Sequence, residues 1–246
     1  LRTRIAHITD PHLLASGERL MGLDVNARLE DVLTAAERLR PDAYFLTGDL
    51  CAHDPDPAVY RHLRPRLDRL SAPYFFAAGN HDDRAMLRTA FDLPGEGGES
   101  LHRRIGVEKR DFLILDSAPG EVDRRQMDWL RRQISEVPTA DIVIHHPPTL
   151  LGVAFMDRNY PLRNRRELLG VLTADGRPRR VFCGHYHSVR TVGHRNLHIH
   201  LCPPTSFFID PEVEDEFSMI ERPAGFQMLE WTESGDFRLV VKETSG

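Results

Sequence analysis

The sequence predicts an α/β fold, two stacked mixed β-sheets with helices outside, as a single domain over residues 1–246. Three observations carry this expectation. Apolar β-type runs alternate with helix-period segments through the first half, which argues for parallel strands. The second half turns to hairpin-like pairs and short buried runs. Five short motifs rich in Asp, Asn and His each follow an apolar run, where the loops of an α/β sheet converge on one crevice.

Arg4–Thr9 is the first strand. A helix follows near Asn26–Arg40, with Leu29, Val32, Leu33, Ala36 and Leu39 at helical spacing, Asn26 as N-cap and Pro41 as stop. Asp42–Thr47 is the second strand, and a helix over about Asp56–Leu70 closes at Ser71-Ala72-Pro73. Tyr74–Ala78 is the third strand, with a helix from Asp82 or Asp83. Arg103–Val107 and Asp111–Asp116 form a hairpin pair, and Asp123–Val137 an amphipathic helix. Asp141–Ile144 and Arg180–Cys183 are short buried strands. Asn196–Leu201, Gly225–Thr232 and Phe237–Val241 look antiparallel, the last pair turning at Ser234-Gly235. Asp210–Glu221 is an acidic excursion with no evident purpose.

A chain of 246 residues with 41% hydrophobic content can bury a full core. Its 32 basic and 37 acidic side chains leave a net charge of −5, which argues mildly against extended nucleic acid as a partner. All the basic residues except Lys109 and Lys242 are arginine, suited to planar phosphate contacts, although most are expected on solvated faces. Cys51, Cys183 and Cys202 are too few and too irregular for a disulfide framework. No apolar segment is long enough to span a bilayer, so a cytoplasmic location is expected. The chain begins at Leu1 rather than Met, which leaves a trimmed leader open.

The motifs are Asp10-Pro11-His12, Gly48-Asp49, Gly79-Asn80-His81-Asp82, His145-His146-Pro147-Pro148 and Gly184-His185-Tyr186-His187. Taken singly most are weak, because Asp, Asn and His also cap helices and fill loops. Gly184-His185-Tyr186-His187 is the strongest, since core packing gives no reason for two imidazoles one residue apart. All five at strand ends supply the carboxylates, amide and imidazoles that would hold two transition-metal ions side by side. A metal pair in one cleft points to hydrolytic phosphorus chemistry.

These motifs resemble those of the calcineurin-like metallophosphoesterases, D-x-H, G-D, G-N-H-[DE], H-x-P and G-H-x-H, from Asp10 to His187. Two weaker stretches look like the class III cyclic nucleotide phosphodiesterases and their glycerophosphodiesterase relatives: Ser16–Asn26, and Leu162-Arg163-Asn164 with Glu167-Leu168-Leu169 and Val171-Leu172. The resemblance implies a sandwich of two mixed sheets with a di-metal site at the carboxyl ends of the strands. Asp10, His12 and His187 would hold one metal, Asn80, His145 and His185 the other, and Asp49 would bridge them. The H-x-P spacing selects His145 over His146, which would support from behind. His81 would touch the substrate phosphoryl group or protonate the leaving alkoxide, forming a catalytic group with Asn80 and Asp49. Two divalent ions less two carboxylates and a bridging hydroxide leave a positive centre for an anionic phosphoryl group.

The expected cofactors are two ions among Fe, Mn, Zn and Co. The expected partner is a small phosphodiester, 3′,5′-cyclic nucleotides first and glycerophosphodiesters second; a phosphomonoester or a non-catalytic scaffold of the same fold ranks lower. A homo-oligomer is open. Arg163 and Asn164 are candidates for the pocket rim, although Asn164 reads equally well as the cap of a helix from Arg165. Phe155, Met156 and Tyr160 either wall the pocket or cover the core.

Overall fold

The computed structural model describes residues 2–15 and 17–244. Leu1 and Ser16, the latter opening the first subfamily-like stretch, lie outside the described residues.

Strands β1 (Thr3–Ile8), β2 (Ala43–Leu46) and β3 (Tyr74–Phe76) run parallel, linked by helices α1 (Val25–Glu37) and α2 (Pro57–Leu67). Helix α3 (Arg84–Phe91) follows, then the antiparallel pair β4 (Arg103–Val107) and β5 (Arg110–Ile114). Helix α4 (Arg124–Glu136) leads to β6 (Asp141–Val143); helices α5 (Ala154–Asn159) and α6 (Arg165–Thr173) lead to β7 (Arg179–Cys183). The chain ends with β8 (Arg190–His194), β9 (Leu197–Leu201), β10 (Phe208–Ile209), β11 (Met219–Ile220), β12 (Gly225–Trp231) and β13 (Phe237–Glu243). One sheet has the order β13-β12-β1-β2-β3, the other β4-β5-β6-β7-β9-β8, and β10-β11 is a separate small hairpin.

The alternation of side chains along each strand builds the layers. In β1, Ile5 faces the other sheet with Phe45, Phe112, Phe182 and Trp231, while Ala6 and Ile8 face α1 and α2 through Leu29, Val32 and Leu63. On the second sheet, Leu113, Ile142 and Val181 pack outward against Leu130 of α4 and Leu168 of α6. Helices, sheet, sheet and helices therefore stack in that order, as the sequence predicts.

Two local expectations change, at the cap of α1 and in the pairing of β9, and the structure chooses between the two offered for α3. The cap of α1 is Asp24, whose side chain accepts from Ala27 N at 3.0 Å. Asn26 instead donates to Leu14 O and accepts from Arg66, tying the first loop to the helices. Asp83 caps α3, because Asp82 turns inward to accept from Gly79 N, Leu50 N and the Tyr60 hydroxyl. Strand β9 is antiparallel only to β8; on its other side it runs parallel to β7.

Candidate metal centre

Loops leaving the carboxyl ends of β1, β2, β3, β6 and β7 carry the motifs to one place. The first two zip together, Asp10 N donating to Gly48 O at 3.1 Å and His12 N to Asp49 O at 3.0 Å. From the other sheet, His185 N donates to Asp10 Oδ2 at 2.9 Å, so an Asp of one sheet fixes a His of the other. Two glycines are needed for this closeness. A Cβ on Gly79 would lie 2.2 Å from Asp49 Oδ1, and one on Gly184 would lie 1.9 Å from Thr9 Oγ1. Asp10, His12, Asp49, His185 and His187 all hold left-handed backbone, with φ between 44° and 72°. Such conformations cost energy in residues with a Cβ and concentrate at functional sites.

Two clusters result. Asp10, His12, Asp49 and His187 form one; His145, His146 and His185 form the other, and every one of these side chains is buried. Asn80 joins the second cluster, its Oδ1 3.2 Å from His145 Nε2. Asp49 stands between the clusters, with Oδ2 3.3 Å from His145 Nε2 and 3.6 Å from His12 Nε2. Its Oδ1 accepts from His81 N at 2.9 Å.

The protonation pattern of the histidines tests whether this set fits metal. A carbonyl oxygen can only accept, so a ring nitrogen bonded to one must carry the proton. His12 Nδ1 donates to Ala52 O at 3.4 Å, and His187 Nδ1 to Phe207 O at 2.8 Å. His145 Nδ1 donates to Thr47 O at 2.6 Å, and His185 Nε2 to Tyr160 O at 3.0 Å. Burial pushes His12 down to about 4, His185 down to about 3 and His187 well below its usual range, so these three rings are neutral. Their remaining nitrogens are then bare lone pairs. His12 Nε2 and His187 Nε2 nevertheless face each other at 3.0 Å, so with both rings neutral two lone pairs are opposed.

In the second cluster, His145 Nε2 lies within 3.3 Å of Asn80 Oδ1, His185 Nδ1 and Asp49 Oδ2. Burial works to lower His145, but Asp49 and Asp10 outweigh it and lift the ring to about 9. Burial likewise works against the Asp49 carboxylate, and His145 and His12 overcome it, holding Asp49 well below the carboxylate range. One proton on His145 satisfies one of three acceptors; a cation satisfies them all. Oxygen and imidazole donors converging from loops, each ring oriented by a carbonyl behind it, fit divalent transition metals.

The cavity above the clusters has a volume of about 460 Å³. Its floor is His12, Asp49, Asn80, His81, His185 and His187, and its wall is Phe155, Met156, Tyr160, Phe207, Ile209 and Phe217. A larger groove of about 660 Å³ lies between α4 and α6, but holds none of the clustered residues. His81 Nδ1 donates to His53 O at 2.9 Å, which leaves Nε2 as its free ring nitrogen.

The structure thus brings together Asp10, His12, Asp49, Asn80, His81, His145, His185 and His187. Arg163 and Asn164 do not line the cavity. Asn164 does open α6, but its side chain clamps the backbone of Val122, accepting from N at 3.0 Å and donating to O at 2.6 Å. Arg163 pairs with Glu121 at 3.2 Å on the surface. His53 gives only its carbonyl to His81, and His200 stacks on Phe182 at 5.6 Å, outside both clusters. Two features are new. His146 enters the second cluster, its ring 4.1 Å from that of His185 and its Nδ1 2.9 Å from Ser117 Oγ. The 207–220 hairpin, in sequence only an acidic excursion, supplies Phe207, Ile209 and Phe217. The apolar run Phe207-Phe208-Ile209 just before the acidic stretch, and Phe217 inside it, are its sequence signal.

The chain belongs to the calcineurin-like phosphoesterase family, whose sequence pattern matches residues 3–189. It is 33% identical over 218 residues to the glycerophosphodiester phosphodiesterase GpdQ of Enterobacter lignolyticus, covering 82% of this chain and 77% of that protein. It is 30% identical over 243 residues to the 3′,5′-cyclic adenosine monophosphate phosphodiesterase CpdA of Escherichia coli, covering 93% and 85%. The fold resembles the purple acid phosphatase PPD1 of yellow lupin, with a TM-score of 0.75 at 16% identity over 99% of this chain and 52% of that one. The chain is therefore a metal-dependent phosphoester hydrolase. No helix among the described residues is long and apolar enough to cross a membrane.

Proposed function

We propose that this protein hydrolyses small phosphodiesters, 3′,5′-cyclic nucleotides foremost, at a two-metal centre. The observation that carries the reading is the pair of buried clusters, each with more converging acceptors than protons to satisfy them, joined through one carboxylate beneath an apolar cavity. Asp10, His12 and His187 would hold one ion, Asn80, His145 and His185 the other, and Asp49 would be shared. Bound there, two ions supply Lewis-acid charge to the phosphoryl oxygens and a water acidic enough to attack phosphorus.

The chain's own residues do the rest. His81 is held by Asp49 through its backbone N–H and by His53 O through Nδ1, so Nε2 is placed to hold or move a proton at the leaving oxygen. Asn80 contributes a neutral oxygen that leaves the charge of the centre undiminished. The aromatic wall excludes water from one side of the phosphoryl group. Among the described residues no lysine or arginine lines the cavity, so a substrate with further phosphates finds no partner there. Glu212, Glu214, Asp215 and Glu216 leave the hairpin that carries Phe217 net negative after their pairing with Arg158 and Arg190. Both features favour a monoanionic diester over a nucleic acid or a phosphomonoester dianion. The kinship with proteins named for cyclic adenosine monophosphate and for glycerophosphodiesters supports the same class.

Rates with Mn²⁺ on cyclic adenosine monophosphate, a 2′,3′-cyclic nucleotide, glycerophosphoethanolamine and p-nitrophenyl phosphate test the reading. The 3′,5′-cyclic nucleotide should have the highest kcat/KM. A preference for the monoester would overturn it.

A further inference from the structure

The wall of the cavity is asymmetric in a way that catalysis alone does not explain. Phe207 stacks on His187 with ring centroids 4.2 Å apart, so the aromatic surface starts directly on a metal-ligand candidate. Phe217 stands edge-on to Phe207 at 5.9 Å and to Phe155 at 6.3 Å, and Phe155 continues to Tyr160 at 5.8 Å. The two outer rings are left open, Phe217 44% exposed and Tyr160 53%. An exposed aromatic row leading from a phosphoester centre is a surface awaiting a flat apolar group.

The row is also held in place. Ile209 N donates to His187 O at 2.9 Å and Asp210 N to Ser218 O at 2.8 Å, which fixes the hairpin to the metal loop. Ala154 N donates to Pro211 O at 3.0 Å, and Arg158 pairs with Asp215 at 2.8 Å, which joins α5 to the same hairpin. Phe155 and Phe217 therefore keep a fixed spacing across the cavity mouth before any ligand arrives.

We infer that Phe217, together with Phe155, is the specificity-determining element of this site: it stacks the heterocyclic base of the ester whose phosphoryl group lies on the metal centre. The inference rests on the two-metal reading above and deepens it by naming the side chains that hold the base of its substrate. A glycerol or aminoalcohol group offers hydroxyls to a wall with no side-chain partner except the Tyr160 hydroxyl, and leaves the rings uncovered. A base covers them, and one base–aromatic stack changes affinity on the order of tenfold.

Adenosine 5′-monophosphate and ribose 5-phosphate differ only by the base, so they isolate the stack from the phosphate. Calorimetric titration of the Mn²⁺-supplied protein should show the nucleotide binding at least tenfold more tightly. Phe217→Ala should shrink that ratio to about threefold or less while leaving ribose 5-phosphate unchanged, and Phe217→Trp should preserve it. Equal affinity of the wild type for the two probes would overturn the inference. So would a Phe217→Ala variant that loses both probes alike, since that marks a structural role. Turnover of cyclic adenosine monophosphate, measured on the same sample, reports separately on the parent reading: an intact binding ratio without turnover supports the stacking element and refutes the cyclic nucleotide as substrate.

Discussion

Gly184→Ala should damage both the stability and the chemistry of this protein, by an amount the geometry sets. The new Cβ would lie 1.9 Å from Thr9 Oγ1, 3.0 Å from Thr9 Cβ and 2.7 Å from Asp10 Oδ2. Ordinary contact is about 3.5 Å, so the Thr9 hydroxyl must retreat by roughly 1.5 Å. That hydroxyl donates to Asp10 Oδ2 at 2.7 Å and approaches Thr47 O at 3.1 Å, all of it buried. Breaking these contacts and overpacking the junction of the two sheets should cost about 2–4 kcal/mol. Asp10 must move too, and a misplacement of about 1 Å at a reacting centre costs on the order of 10²-fold in rate. Urea denaturation and turnover of bis-(p-nitrophenyl) phosphate with saturating Mn²⁺ measure the two effects. Adding Thr9→Ala removes the closest clash, so the double variant should be at least ~1 kcal/mol more stable than the sum of the singles predicts. Wild-type stability and turnover in Gly184→Ala would refute the claim that the two sheets meet this closely at Asp10.

His81→Ala should keep its metal and lose about 10²–10⁴-fold in kcat, because His81 faces the cavity without joining either cluster; loss of metal would make it a ligand instead. Saturating both sites with Mn²⁺ at about a hundred times Kd should add about 2.7 kcal/mol per site and raise Tm by at least 5 °C, reversibly with a chelator; an unmoved melting curve would contradict the metal centre. Far from the site, the fully buried Arg179 guanidinium pairs with Asp175 at 2.6 and 2.7 Å. That hydrogen bonding holds Asp175 at about 2, so its contribution is complete above the ordinary value of 3.8 and fades as pH falls toward 2. Asp175→Asn should therefore destabilise by roughly 3 kcal/mol at pH 7 and by much less near pH 2; an equal loss at both would refute the charge argument.

Much of this architecture is legible in the sequence, for identifiable reasons. Strands β2 and β3 are continuous apolar runs and β1 is apolar at Ile5, Ala6 and Ile8; helix-period segments separate them, and the ligand-type residues follow closely. What escaped reading lacks periodicity. Helix α5 has six residues, and β10 and β11 two each, too short for any repeat to register. In the 207–220 hairpin the carboxylates cluster between two apolar ends, and only the fold reveals that Phe207 and Phe217 line the cavity. Asp24 and Asn26 are both capping residue types two positions apart, and the Arg66 and Leu14 contacts that recruit Asn26 come from distant segments. Asn164 is a similar case: its position at the head of α6 is local, whereas its bonds to Val122 are tertiary.

The central claim is that two ions share the Asp49 carboxylate, and counting them tests it most directly. Equilibrium dialysis against Mn²⁺ followed by elemental analysis should give two ions per chain in the wild-type protein. In Asp49→Ala both the metal pair and the hydrolysis of bis-(p-nitrophenyl) phosphate should be lost. A wild-type protein that binds none, or an Asp49→Ala variant that keeps two ions and near wild-type turnover, would contradict the account.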